Sequence, residues 1–67
     1  MEITLTEVKE KIKRGNPKPY YGDLGFSYER AFAVEDGDYY FVEVYHFDGG
    51  VEYEVLSKNE NDIIVVL

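Results

Sequence analysis

Hydrophobic residues near the start of the chain recur at the spacing of one helical face. Leu5, Val8 and Ile12 are separated by three and four positions, and charged or polar residues fill the positions between them. Four of those charged residues are basic and lie toward the end of the segment, where they favour the negative end of the helix dipole. The pattern therefore predicts an amphipathic helix over about residues 5–14.

Signals at both ends of this segment support the prediction. Thr4 and Glu7 have the spacing of a capping box, in which each side chain bonds the backbone N–H of the other residue. Ile3 precedes the cap and is placed to contact Val8 as a hydrophobic staple. Gly15, followed directly by Asn-Pro, ends the helix and prevents it from resuming.

From residue 26 onward the spacing of apolar residues changes to that of strands separated by turns. The pattern predicts strands at 26–34, 39–47, 51–57 and 62–67. We therefore predict a single α+β domain over residues 1–67, with an N-terminal helix packed on a four-stranded antiparallel meander. An ordered loop over 15–25 joins the helix to this meander, and the sheet either stays open or curls into a small, partly open barrel.

Asp-Gly pairs predict how these strands face each other. A two-residue turn at Asp36-Gly37 pairs Val34 with Tyr39 and Arg30 with Glu43. A two-residue turn after the next strand places Val51, Tyr53 and Val55 on the face of Val42, Val44 and His46, whereas a three-residue loop would place them on the other face.

In the predicted register, both faces of the sheet are apolar. One face carries Ala31 and Ala33, which leave room for the helix, while the other carries Phe26, Phe32, Phe41 and Phe47. One short helix covers only one face. We therefore expect the Phe-rich face to be closed by curling of the sheet, by the 15–25 loop, or by another protein. The unbroken apolar run over 63–67 predicts a strand that is enclosed on both faces.

Length and composition limit how this chain is stabilised and where it acts. It has 67 residues and no cysteine, so disulfides and thiolate metal sites are excluded. Aromatic residues make up 16% of the chain, which favours dense aromatic packing or burial against a partner. The first residues are charged and the longest aliphatic run has five residues, so the sequence predicts neither a signal peptide nor a membrane span. The predicted location is cytoplasmic.

Charge is distributed unevenly along the chain. Residues 1–20 contain five cations and three acids, a net charge of +2. Residues 21–67 contain two cations and eleven acids, a net charge of −9. An acidic sheet repels the phosphates of nucleic acid and attracts basic protein surfaces, so we expect a basic protein partner and no nucleic-acid or membrane partner.

The sequence contains one weak candidate for a catalytic site. The predicted register places Ser27 opposite His46, with Glu29 on the diagonal, which is the residue set of a nucleophilic triad. No glycine-rich turn offers an oxyanion hole beside them, so we interpret His46 as a solvated or capped residue. The acidic turns lack the ligand spacing of a calcium loop. The sequence therefore predicts no catalytic residues, no metal site and no cofactor.

The remaining signal is a set of carboxylates among tyrosines on the sheet. Tyrosine is enriched at protein interfaces, where its ring and hydroxyl both contribute. We therefore predict an acidic protein-binding module, with inhibition of a target through a nucleic-acid-like surface as one form of this function. The alternative is a homo-oligomer, such as a homodimer, whose interface is the Phe-rich face. The predicted partner-binding residues are Tyr28, Tyr39, Glu43, Tyr45, Asp48, Glu52 and Glu54.

Overall fold

The computed structural model describes residues 1–67 and has one helix and six strands. The elements are β1 (Glu2–Ile3), α1 (Leu5–Arg14), β2 (Lys18–Pro19), β3 (Arg30–Asp36), β4 (Tyr39–Tyr45), β5 (Val51–Ser57) and β6 (Val65–Val66). Strands β2 to β5 form an open antiparallel sheet in that order, and α1 packs on one face of it. This confirms the predicted α+β class and the helix on a four-stranded antiparallel sheet. No helix in the molecule has the length and apolar character needed to cross a lipid bilayer.

The fourth strand of the sheet is not the one that the sequence predicted. Strand β6 leaves the meander and pairs in parallel with β1, forming a separate two-stranded sheet. The fourth place is taken by β2, whose chain continues along β3 through a bond from the Tyr20 N–H to the Ala31 carbonyl. The predicted enclosure of residues 63–67 is also wrong. Ile64 packs against the core, while Ile63 is 77% exposed.

The helix begins and ends as predicted. The Glu7 N–H donates to Thr4 Oγ1 at 3.1 Å, and the Thr4 N–H donates to Glu7 Oε1 at 3.4 Å, which completes the capping box. Val8 and Ile12 are buried, and Ile3 joins them in the same cluster. Leu5, which the periodicity also placed on the buried face, is exposed because Ile3 occupies that part of the core.

The β3–β4 turn lies one residue later than predicted, which displaces the pairing of the two strands by two residues. Asp36 pairs with Tyr39, so the turn residues are Gly37 and Asp38, and Arg30 lies opposite Tyr45 rather than Glu43. Gly37 has φ +60°, whereas a turn at Asp36-Gly37 would have required positive φ at Asp36 as well. Glycine at the first central position avoids that strain. Because side chains alternate with a period of two, this displacement leaves every residue of β3 and β4 on its predicted face.

The β4–β5 connection does change faces. A three-residue loop, Phe47–Gly49, is closed by the His46 N–H bonding the Gly50 carbonyl at 2.8 Å and the Gly49 N–H bonding the His46 carbonyl at 3.0 Å. Gly49 has φ +92°, as the last position of such a loop requires. The predicted two-residue turn is therefore wrong, and Val51, Tyr53 and Val55 lie on the face of Tyr45, Glu43 and Phe41.

Both faces of the sheet are covered, but by the opposite elements from those predicted. The helix packs on the Phe41 face, where the reversal of β5 adds Val55 to the apolar surface. The shallow surface of Ala31 is covered instead by the loop over residues 20–28. Side chains of this loop pack on Ala31, Val42 and Val44, and they are Tyr20, Leu24, Phe26 and Tyr28.

The phenylalanines therefore do not share one face. Phe41 is buried under the helix and Phe32 is half-buried on the same face. Phe26 packs on the opposite face because it precedes β3 and belongs to the covering loop. Phe47 lies in the hairpin loop and is 73% exposed. The predicted Phe-rich face is thus divided among two faces and a hairpin tip.

The covering loop offers a matched pair of tyrosines for testing this arrangement. We expect Tyr20→Ala to lower the free energy of unfolding by about 2 kcal/mol or more, because it removes a ring that contacts the buried cluster. Tyr21→Ala should change it by less than about 0.5 kcal/mol, since Tyr21 is 90% exposed. Urea denaturation followed by circular dichroism measures both, and equal effects would contradict the loop's covering role.

Candidate functional site

The structure divides the seven predicted partner-binding residues between the two faces of the sheet. Tyr39, Glu43 and Tyr45 lie on the helix face. Tyr28, Glu52 and Glu54 lie on the face covered by the 20–28 loop, and Asp48 lies in the hairpin loop. The single acidic face was predicted from a two-residue β4–β5 turn, and the three-residue loop separates Glu52 and Glu54 from Glu43.

Two of the predicted residues hold the fold together. The Tyr39 hydroxyl donates to Asp62 Oδ2 at 2.6 Å, which raises the pKa of Tyr39 and lowers the pKa of Asp62. The Tyr28 hydroxyl donates to the Gly22 carbonyl at 2.6 Å and so fixes the covering loop to itself. Both hydroxyls are part-buried, and the bonds they make are internal to the chain.

Glu43 and Tyr45 belong to a small polar cluster on the helix face. The Tyr45 hydroxyl donates to Glu43 Oε1 at 2.5 Å, and the Tyr53 hydroxyl donates to Glu43 Oε2 at 3.3 Å. The hydrogen bond to Glu43 raises the pKa of Tyr45, and burial together with the nearby Glu43 charge raises the pKa of Tyr53. The sequence analysis missed Tyr53, because its place beside Glu43 depends on the reversed register of β5.

Two cations of the chain lie over the aromatic rings of this cluster. The Arg30 guanidinium carbon lies 4.7 Å from the centre of the Tyr45 ring, and Lys9 Nζ lies 5.3 Å from the centre of the Tyr53 ring. Phe32 meets Tyr45 edge-on, with ring centres 5.9 Å apart. The acidic character predicted for this face is therefore offset locally by basic side chains.

On the opposite face, His46 pairs with a carboxylate rather than with a serine. His46 Nε2 lies 2.7 Å from Glu52 Oε2, while Ser27 lies before β3 begins and shares no hydrogen bond with His46. The predicted juxtaposition of Ser27 and His46 is therefore wrong, because β3 starts at Arg30 and the register is displaced. No group of three or more His, Asp or Glu side chains is arranged to hold a metal ion.

Glu52 and Glu54 are neighbours on this face, and their pKa values are shifted in opposite directions. The hydrogen bond with His46, and then the one with Glu54, lowers the pKa of Glu52. Burial, and then the bond to Glu52, raises the pKa of Glu54. Side chains two apart on a strand point to the same face, so this carboxyl pair is a direct result of the strand geometry.

The two ends of the sheet differ in how their acids are neutralised. At the β3–β4 turn, Lys11 bonds Asp36 at 2.7 Å and Lys58 bonds Glu35. Toward the β4–β5 hairpin, no ion pair joins Asp48 or Glu54 to a lysine or arginine, and the partner of Glu52 is a histidine. Two of the three acids at the β3–β4 turn are thus paired with lysine, whereas none of Asp48, Glu52 and Glu54 is.

Two apolar residues that neighbour these acids in the sequence are exposed. Phe47 is 73% exposed at the tip, and Val51 is 49% exposed at the start of β5. We call this region the hairpin surface, and it consists of Phe47, Asp48, Val51, Glu52 and Glu54. Three of its members were predicted from the sequence. Phe47 and Val51 were assigned to sheet faces, and no sequence signal except the Gly pair after Asp48 indicated a longer loop.

The raised pKa of Glu54 gives a pH-dependent prediction. Over the range where folded Glu54 keeps a proton that the unfolded chain has lost, stability falls as the pH rises. We therefore expect Glu54→Gln to be more stable than the wild type at about pH 7, with the advantage shrinking toward about pH 4, near the ordinary pKa of glutamate. Urea denaturation at both pH values measures this. Glu60→Gln is the exposed control, and a Glu54→Gln effect that is independent of pH would contradict the prediction.

Comparison with known proteins does not indicate a family or a function for this chain. No family of known proteins, no curated protein and no solved structure matches the chain. The feature of the chain that bears on function is the hairpin surface, which combines exposed apolar side chains with carboxylates that have no lysine or arginine partner.

Proposed function

We propose that this chain is a non-enzymatic, cytosolic protein that binds a basic surface of another protein through its hairpin surface. The observation that carries the proposal is that Phe47 and Val51 are exposed in the same hairpin as Asp48, Glu52 and Glu54, which form no ion pair with a lysine or arginine of the chain. Elsewhere on the sheet, cations of the chain pair with Glu35 and Asp36.

This combination has the two components of a protein-binding surface. Phe47 offers a large apolar side chain that makes no contribution to the buried core, and such aromatic anchors carry much of the energy of protein interfaces. The surrounding carboxylates contribute mainly to steering and to partner choice, because a negative field speeds encounter with a positive surface and repels a negative one.

The charge of the chain narrows the partner class. Residues 21–67 carry a net charge of −9, so a partner with a basic cleft is favoured and nucleic acid is disfavoured. Clefts that bind nucleic acid are basic for the same electrostatic reason. Inhibition of a nucleic-acid-binding protein, through occupation of its cleft, is therefore included in the proposal as one form of the function.

The test is capture of partners from a lysate of the source organism by the immobilised chain. We expect Glu52→Lys combined with Glu54→Lys to reduce recovery of specific partners about tenfold or more, because it replaces attraction by repulsion. Phe47→Ser should also reduce recovery, since it removes the apolar anchor.

Two control variants repeat these charge and side-chain changes at positions outside the hairpin surface. Glu2→Lys combined with Glu60→Lys makes the same change in net charge at exposed acids outside the hairpin surface, and Tyr21→Ser removes an exposed aromatic ring from the covering loop. Both controls should keep the partners. Equal loss in the hairpin variants and the controls would contradict the proposed surface.

Self-association is the second candidate function, and a different observation favours it. The Phe-rich face on which it was predicted is divided, but Ile63 and Leu67 are 77% and 67% exposed beside the β1–β6 pair. An apolar patch of this kind can serve as an interface between copies of the chain.

Sedimentation velocity over a range of concentrations separates the two functions. The proposed protein-binding function predicts a monomer throughout, because the free chain has no need of a second copy. A concentration-dependent dimer that Ile63→Lys abolishes would favour the homo-oligomer instead.

A further inference from the structure

Strand β5 is at the edge of the sheet, and one side of its backbone is unpaired. The Lys58 N–H bonds the Asp38 carbonyl and the His46 N–H bonds the Gly50 carbonyl, so the even-numbered residues of this hairpin are the ones bonded across the β4–β5 pair. The N–H and C=O groups of Val51, Tyr53 and Val55 consequently point away from β4. These groups make no hydrogen bond within the chain.

We infer that the outer edge of β5 binds an extended basic segment of a partner protein as an added strand. The segment would place lysine or arginine side chains opposite Glu52 and Glu54, and apolar side chains beside Val51 and Tyr53. This inference rests on the proposed function, since it specifies how the hairpin surface would engage a basic partner. Addition of a strand to an open sheet edge is a general mode of peptide recognition.

The alternation of side chains along β5 defines the alternation required of the partner. Glu52 and Glu54 project from the face covered by the loop, and Val51 and Tyr53 project from the helix face. Directly opposed side chains on neighbouring strands have Cβ atoms about 5 Å apart, close enough for ion pairs. A segment that alternates basic and apolar residues therefore satisfies both faces of the edge at once.

The electrostatics of Glu52 and Glu54 also favour a basic neighbour. Burial and the adjacent Glu52 raise the pKa of Glu54, so its negative charge is disfavoured in the free chain. A cation placed opposite the pair would stabilise both charges. The backbone edge and the carboxyl pair are independent features of the same strand, and both are satisfied by one ligand.

A second copy of the chain fits this half of the edge poorly. Antiparallel pairing of two β5 strands about a two-fold axis at residue 52, 53 or 54 sets at least one glutamate opposite a glutamate on the same face. Like charges in directly opposed positions destabilise a strand pair. In these three registers, the charge pattern therefore favours a basic partner strand over self-pairing.

The first half of β5 is the more open part of the edge. Val51 is exposed, whereas Ser57 is engaged by the following turn, in which Ser57 Oγ accepts from the Asn59 N–H at 3.0 Å and bonds Asp62 at 3.3 Å. We therefore assign the docked strand to residues 51–55.

Peptides with blocked backbone positions test the inference on the intact chain. A capped hexapeptide of alternating lysine and valine should bind, whereas the same peptide of glutamate and valine should not. In an antiparallel strand, the residues directly opposite Val51, Tyr53 and Val55 donate to the edge, and here these are the valines. Methylating the valine backbone nitrogens should weaken binding about tenfold or more, while methylating the lysine backbone nitrogens should be tolerated.

Amide hydrogen exchange locates the bound peptide. The amides of Val51, Tyr53 and Val55 should exchange more slowly when the lysine–valine peptide is bound, because they become donors to the added strand. A parallel strand would reverse which methylated peptide is inactive and would still support strand addition. Equal binding of both methylated peptides, or no slowing at these amides, would overturn it.

Variants of the edge provide the matched controls. Val51→Pro removes an outward N–H at the first residue of the strand, where proline is tolerated, and should weaken peptide binding. Val51→Ala keeps that N–H and should bind nearly as well as the wild type. Circular dichroism establishes that each variant folds, and the methylated peptides test the wild-type chain whatever the variants do. If the same amides are protected from exchange without peptide, and this protection increases with protein concentration, the edge pairs with itself and the inference is overturned.

These results are distinguishable from failure of the proposed function. If partner capture depends on Glu52 and Glu54 but the peptides show no difference between methylation patterns, strand addition is wrong and the hairpin surface stands. If the peptides behave as expected but partner capture is insensitive to charge reversal at both positions, the edge binds basic strands and the proposed function is wrong.

Discussion

Strand β4 is apolar on both of its faces, and the rest of the molecule is arranged to cover them. Phe41 is buried on one face, and Val42 and Val44 are fully buried on the other. A ten-residue helix has the area to cover one of these faces. The second cover is therefore a requirement, and the loop over 20–28 supplies it with aromatic rings and a leucine. This explains the presence of Tyr20, Leu24, Phe26 and Tyr28 in a connection between helix and sheet.

The length of one hairpin loop then decides the chemistry of the surface. With three residues between His46 and Gly50, β5 shows Val55 and Tyr53 to the helix and Glu52 and Glu54 to the opposite face. Burial of Val55 under the helix and placement of the carboxyl pair on the opposite face have the same cause. A two-residue turn would have reversed both, leaving carboxylates under the helix, where desolvation is costly.

Charge compensation differs between the two ends of the sheet. Lys11 and Lys58 tie the β3–β4 turn to the helix and to the end of β5 through Asp36 and Glu35. The acids of the hairpin surface have no lysine or arginine partner, and the exposed Phe47 directly precedes Asp48 in the loop. The proposed protein-binding function and the proposed strand addition both draw on this difference between two ends of one sheet.

Local signals in the sequence were sufficient where the structure depends on neighbouring residues. The capping box and the periodicity of Val8 and Ile12 define the helix, because its hydrogen bonds and its buried face arise within ten residues. The predicted strands at 39–47 and 51–57 likewise agree closely with β4 and β5, because strand-forming residues and the turn residues between them are local signals. The helix on an antiparallel sheet was therefore predictable.

Tertiary structure alone decided which face each element covers and which residues come together on the proposed hairpin surface. Asp48-Gly49 is compatible with a two- or a three-residue loop, and the choice depends on whether Val55 can be buried beneath a helix that lies more than forty positions away in the chain. In the same way, the apolar residues Val65 and Val66 suit many partners, and their pairing with Glu2 and Ile3 joins the two ends of the chain. Such choices are made by contacts between distant segments, and a pattern read over a few neighbouring residues does not contain them.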